Sequence, residues 1–235
     1  MEKINTQIYF DTEEEFYNNL KDKLDGDLLF YCVSGSVGRK EPIPGWSDID
    51  IVFICKNWNK KVFTALHDSI SLNKSGIKIG TTFYVLNEFN SYKFQDPKTF
   101  NLIYSIHSGR YCPRLHDISV KLNNFDLKTT FDFNIVEFNK TLHMFKRELS
   151  HYPEFDERFA YRLLRIMLRI LLMKENIMTD GYKEVFETAG KIFNNPDFTK
   201  ITITEIMEEP KNQRDRYERY INFLLWVEKK YALLK

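Results

Sequence analysis

Apolar positions change their spacing along the chain, and the change divides it. Phe16, Leu20 and Leu24 stand four apart behind Thr12-x-x-Glu15, a capping-box pattern that predicts a helix closed by Asp25-Gly26-Asp27. Leu28 to Val33 is a continuous apolar run of strand length that stops at Ser34-Gly35-Ser36-Val37-Gly38. A polar loop containing Pro42 and Pro44 leads through Trp46-Ser47 into a second predicted strand, Asp48 to Cys55. Val62, Leu66 and Ile70 predict a helix, and Gly76 to Leu86, rich in β-branched and aromatic residues, predicts a third strand. Asp96-Pro97 reads as the cap and first residue of a short helix ending at Gly109. Beyond Cys112 the spacing is helical throughout. Phe131, Ile135, Phe138, Leu142, Phe145 and Leu149 form one stripe, interrupted by Pro153. Glu154 to Met173, Glu184 to Phe193 and Lys211 to Leu234 form three more helices, the last with Tyr217, Tyr220, Ile221 and Leu224 on one side. The expected class is α+β: a mixed-sheet N-terminal domain over residues 1–112, then an α-helical C-terminal domain over 113–235.

The 235 residues suffice for two small domains with real cores, and 43% hydrophobic with 29% charged residues is an ordinary globular composition. A net charge of +1 gives no global field for an extended nucleic acid or an anionic membrane, so neither is expected as a partner. Cys32, Cys55 and Cys112 are odd in number and lack C-x-x-C spacing, and read as unpaired residues of a reducing, cytoplasmic compartment. Met1 to Asn5 has no apolar leader, and the most apolar later stretch is broken by Arg162, Arg165 and Arg169, which argues against a membrane span. His67, His107, His116, His143 and His151 show no zinc spacing.

The chemistry concentrates between Val33 and Cys55. Gly35 lets a phosphate approach the backbone, successive N–H groups in such a turn form an anion-binding concavity, and the Ser36 hydroxyl adds a donor. Arg39 follows closely, with a guanidinium suited to a triphosphate. Asp48 and Asp50, two apart on a strand, point to one face with α-carbons roughly 6.6 Å apart, a spacing that suits carboxylates converging on magnesium. Aspartate is a poor strand former and like charges on one face repel, a penalty that a cation removes. A lone Asp-x-Asp reads as a solvated strand end; the Gly-Ser turn upstream tips the balance toward a site.

Gly35-Ser36-Val37-Gly38-Arg39 followed by Ser47-Asp48-Ile49-Asp50-Ile51 resembles the signature of the DNA polymerase β-type nucleotidyltransferase superfamily, and within it is most similar to aminoglycoside nucleotidyltransferases of the kanamycin type. The close match covers about residues 30–55. The resemblance implies a nucleotidyltransferase-type fold, phosphates held by Gly35 and Ser36 with Arg39 and Ser47 beside them, and Mg²⁺ held by Asp48 and Asp50. The implied reaction is transfer of a nucleoside monophosphate, AMP if ATP is the co-substrate, to a hydroxyl of a small antibiotic-like acceptor, with release of pyrophosphate. A protein or RNA acceptor, as in antitoxin-like members, is the alternative.

The pattern departs from the superfamily at one point. A third carboxylate is usual on a later strand, yet Ile77 to Leu86 contains neither Asp nor Glu; Gly80, Thr81 and Thr82 take the corresponding place, and Glu88 lies past the end. This leaves open a catalytically impaired nucleotide-binding module. Kanamycin-type enzymes take a glutamate from the helical part, and Glu137, beside the apolar stripe of its helix, is the candidate base here. Arg158, Arg162, Arg165 and Arg169 fall on one narrow stripe, set either to meet an anion or to pair with acids of neighbouring helices.

Overall fold

A computed structural model describes residues 6–91, 97–123, 125–208 and 213–232. The chain divides into two compact units, Met1–Phe125 and Asp126–Lys235. The division falls at 125/126 rather than at 112/113 because the segment after Cys112 returns to the first unit's sheet. Leu115–His116 pairs with the first strand, and the Arg114 and Asp117 amides donate to the carbonyls of Tyr31 (2.9 Å) and Leu29 (2.8 Å).

Helix α1 (Gln7–Leu24) begins a turn and a half before the predicted cap. Tyr9 extends the stripe of Phe16, Leu20 and Leu24 backward, so Thr12 lies buried inside the helix instead of capping it. Strands β1 (Leu28–Ser34), β2 (Ile49–Cys55), β3 (Ile79–Val85) and β4 (Leu115–His116) form one sheet in the order β3-β2-β1-β4. β1 is antiparallel to both β2 and β4, whereas β2 and β3 are parallel. That parallel pair requires a crossover, supplied by α3 (Lys60–Ser71), whose Asn59 cap accepts from the Val62 amide at 3.1 Å.

Alternation along β2 feeds two cores. Ile49, Ile51, Phe53 and Cys55 pack with α1 and with Val62 and Ala65 of α3. Val52 and Ile54 face the other way, onto Phe30, Cys32, Phe89, Leu102 and Ile103. The short turn α2 (Gly35–Gly38) follows β1, and α4 (Leu86–Asn90) and α5 (Pro97–His107) cover this second face. Asp96, expected to cap α5, lies outside the described residues. Asp50 shares the face of Val52 and Ile54 but sits at its open end, exposed to solvent.

Burial pushes the thiols of Cys32 and Cys55 up to about 12, while Cys112 is exposed. At neutral pH a thiol reagent is expected to modify Cys112 alone in the native protein and all three cysteines after unfolding. Counting released chromophore checks this; three modified thiols in the native state would contradict the fold. Because the folded values lie above the ordinary 9.0, the native chain keeps two protons that an unfolded chain releases. Their stabilising effect is complete below pH 9.0 and is lost as pH rises toward 12.

The second unit is helical among its described residues. α6 (Leu127–Leu149) starts at Asp126, whose carboxylate accepts from the Thr129 amide at 2.7 Å, one turn before the predicted Phe131. α7 (Glu157–Lys174) is capped in the same way by Asp156, at 3.0 Å from the Phe159 amide. Phe138, Leu142 and Phe145 of α6 and Leu164, Met167 and Leu168 of α7 are buried. In α8 (Tyr182–Ile192), Phe186 stacks on Tyr161 of α7 with ring centroids 4.5 Å apart. The short α9 (Ile203–Met207) and α10 (Gln213–Ala232) complete the unit. Among the described residues no helix is long and apolar enough to cross a membrane.

Candidate active site

The candidate site is built where β1 ends and β2 begins. Ser34 stands opposite Asp50 in the antiparallel register, and its hydroxyl donates to the Asp50 carbonyl at 3.4 Å. The chain then turns sharply at Gly35, whose φ of +66° favours glycine over any residue with a β-carbon. Space requires glycine as well, since a β-carbon here would lie 3.0 Å from Asp50 Oδ2. Three residues on, Gly38 lies against the strand it has just left. A β-carbon there would sit 2.3 Å from the Val33 carbonyl oxygen.

On the other side of Asp50 stands β3. Asp50 pairs with Gly80 in the parallel register, and a β-carbon on Gly80 would lie 3.1 Å from Asp50 Oδ1. The Asp50 carboxylate therefore lies between two glycines, on an exposed residue. Gly80, one of the three β3 residues considered for a further carboxylate, stands in register with Asp50, and β3 carries neither Asp nor Glu. Asp48 lies just before β2 instead of within it, half-buried. The two aspartates thus come from a strand and its lead-in rather than from one strand face.

The loop between Gly38 and Asp48 is fastened. Ser36 Oγ donates to Ser47 Oγ at 2.7 Å, and Ser47 Oγ accepts from the Ile43 amide at 2.8 Å. Both serines singled out in the sequence therefore meet, in a contact that ties the turn to the lead-in of β2. Tyr9 of α1 donates to the Ile43 carbonyl at 3.3 Å, and Trp46 is buried. Burial, helped by the Asp48 charge, raises the Tyr9 hydroxyl above its usual range, so it stays protonated as a donor. Arg39 donates to the Tyr111 hydroxyl at 2.9 Å and lies 3.6 Å from Glu41. Its side chain is 11% exposed, so the guanidinium expected on a triphosphate braces the turn against the segment after α5.

The donor set favours a hard cation that keeps a largely external shell. Among the described residues no group of three Asp, Glu, His or Cys side chains is arranged to cage a metal. The exposed Asp50 carboxylate is a hard oxygen donor of the kind Mg²⁺ takes, the ion completing its octahedron with water and phosphate oxygens.

Glu137 belongs to the second unit, and there Arg169 is its partner at 4.0 Å. Arg169 is only 8% exposed and also lies 3.6 Å from Asp180. Arg165 donates to the Asp180 carbonyl at 2.7 Å, with its guanidinium 4.4 Å from the centre of the Tyr182 ring. Arg162 is half-buried and Arg158 exposed. The lower part of the arginine stripe is thus tied to acids and carbonyls of its own unit, as buried guanidinium groups require. Tyr9 and Tyr111 were not singled out in the sequence, and Gly38 stood in the motif without a role of its own. Gly38 was within reach, because a second glycine three residues after Gly35 signals close backbone approach; the other two act across long sequence distances.

Compared whole, the chain is similar to the spectinomycin adenyltransferase AAD(9) from Enterococcus faecialis, solved with ATP and spectinomycin. The TM-score is 0.53 at 12% identity, over 92% of this chain and 98% of that one. A nucleotidyltransferase-like protein from Exiguobacterium sibiricum aligns over 96% of this chain and 76% of its own, with a TM-score of 0.38 at 8% identity. No family model and no curated protein matches the sequence. The chain has a nucleotidyltransferase fold, α+β with a helical C-terminal part.

Proposed function

We propose that the chain transfers a nucleoside monophosphate, AMP from ATP, to the hydroxyl of a small-molecule acceptor. The observation that carries this reading is the Asp50 carboxylate held between Gly35 and Gly80 at the mouth of the Gly-Ser turn. The acceptor oxygen forms a bond to the α-phosphorus, the bond from that phosphorus to the bridging oxygen breaks, and pyrophosphate leaves. The turn at Gly35 and Ser36, with Ser47 fastened behind it, receives the phosphates. Asp48 and Asp50 hold Mg²⁺, which when bound supplies positive charge against the triphosphate oxygens. Arg39 acts as a positioning residue through Tyr111. The small acceptor is proposed from the similarity to AAD(9), solved with ATP and spectinomycin, and resistance to such a compound is the biological setting it suggests.

Glu137 is proposed as the group that takes the acceptor proton, since no acid on β3 offers itself. Its pairing with Arg169 supports a carboxylate held in one place. Glu137→Gln is expected to lower turnover by roughly 10²-fold with little change in nucleotide binding. Unchanged turnover would remove Glu137 from the mechanism.

Incubation with Mg²⁺, α-labelled ATP and an aminocyclitol acceptor tests the main reading. Label transfer with stoichiometric pyrophosphate supports it, and failure to bind any nucleotide sinks it. The empty flank at Gly80 favours one second reading, a module that binds nucleotide without turning it over. Saturable ATP binding with no transfer to any acceptor, small or protein, is its signature.

A further inference from the structure

Among the described residues, β3 is an edge strand of the sheet, with no strand beyond it. Its seven residues, Ile79–Val85, carry no charge and no proline, and they pair with β2 without a bulge. Edge strands are normally blunted by such features because a bare edge templates pairing with another chain. The Lys78 carbonyl accepts from the Ile49 amide at 2.9 Å, so Lys78 bonds toward β2. Alternation then turns the N–H and C=O groups of Ile79, Thr81, Phe83 and Val85 outward.

An apolar flank runs beside this edge. Trp58 is 42% exposed, Phe63 54% and Ile70 41%. The rings of Trp58, Phe63 and Phe83 contact one another with centroids 4.6 to 6.0 Å apart. Phe63 and Ile70 are seven apart on α3 and so share one side of that helix. Clustered exposed apolar residues of this kind mark interaction surfaces.

We propose that this flank is a homodimer interface, in which β3 pairs antiparallel with β3 of a second copy about a two-fold axis at Thr82. Centring on Thr82 uses all four outward-facing residues, with Thr81 opposite Phe83 and Ile79 opposite Val85. The charges select a second copy over an unrelated strand. Lys78 is exposed at one end of β3, and Glu88 stands just past the other end. The two-fold brings Lys78 of each copy to the end of β3 from which Glu88 of the other projects, so the opposite charges meet twice. The same operation lays Phe63 and Phe83 of one copy beside their equivalents. The interface requires nothing of the reaction proposed above.

Sedimentation of the full chain at micromolar concentrations tests it. The expected species has twice the mass of the 28.2 kDa chain. Phe63→Asp, at a half-exposed position that leaves the core intact, is expected to return it to the single-chain mass with unchanged circular dichroism. Thr82→Cys in a Cys112→Ser background provides the geometric check, because Thr82 faces itself in a close, non-hydrogen-bonded pair. Mild oxidation is expected to cross-link the dimer through this position and not through Asn87→Cys. A wild-type chain that sediments as a monomer overturns the proposal, as does a dimer that persists in Phe63→Asp and fails to cross-link at position 82.

Discussion

Asp50→Asn is expected to leave the protein folded and to lower the proposed pyrophosphate release by about 10³-fold. The substitution keeps the shape of a side chain that already fits between Gly35 and Gly80, where contacts of 3.0 and 3.1 Å to added β-carbons leave no room for larger groups. Asp50 is exposed and at the end of its strand, so stability is expected to shift by no more than about 0.5 kcal/mol. What changes is charge. On the proposed function, an amide would contribute one weak ligand oxygen in place of an anion, and the triphosphate would lose the cation proposed to offset its charge. Steady-state pyrophosphate release over a Mg²⁺ series, beside a thermal melt, separates the two effects. Full activity in Asp50→Asn, or in Asp48→Asn/Asp50→Asn, would refute the placement of the metal.

Gly38→Ala is expected to have the largest effect on stability. Its β-carbon would lie 2.3 Å from the Val33 oxygen, 2.8 Å from the Val33 carbonyl carbon and 3.1 Å from the Tyr111 ring. Two of these atoms are backbone of a strand end and cannot rotate away. Relief requires α2 to lift off β1, which costs about 1–3 kcal/mol as other overpacked sites do. Lifting α2 also pulls Arg39 from the Tyr111 hydroxyl and moves Ser36 relative to Ser47. Weaker nucleotide binding is therefore expected together with an earlier denaturation midpoint, followed through the buried Trp46. An alanine variant as stable as the parent would show that the turn does not pack as described.

The α+β class and the strand–turn–strand stretch were legible in the sequence. Gly35 lies against Asp50, and Ser36 meets Ser47, because a strand, a turn and a second strand are near neighbours in the chain, and such local arrangements leave a pattern. The absence of an acid on β3 was equally plain, since Gly80 falls in register with Asp50. Arg39 was legible as a functional cation only while its partner was unknown; Tyr111 lies 72 residues away. The same distance effect hid β4, two residues long and without any period of its own, and with it the true limit of the first unit. Thr12 misled for the opposite reason. A strong local capping pattern was overridden by Tyr9, whose burial continues the helix one turn and a half toward the N-terminus.

The fastening of the loop behind the turn bears on where conformational entropy is lost. Ser36, Ser47, Ile43 and Tyr9 form one hydrogen-bonded chain across it, and the Glu41 amide closes back on the Ser36 carbonyl at 2.8 Å. A slack loop that ordered around its ligand would lose roughly 1–2 kcal/mol per residue at that moment. Here the loss is taken when the chain folds, so under the proposed function an arriving triphosphate would meet an ordered turn and its affinity would not be diluted by disordered alternatives. Rigidity of that kind discriminates by fit: a ligand whose phosphates do not match the spacing of the turn finds no second arrangement to adopt.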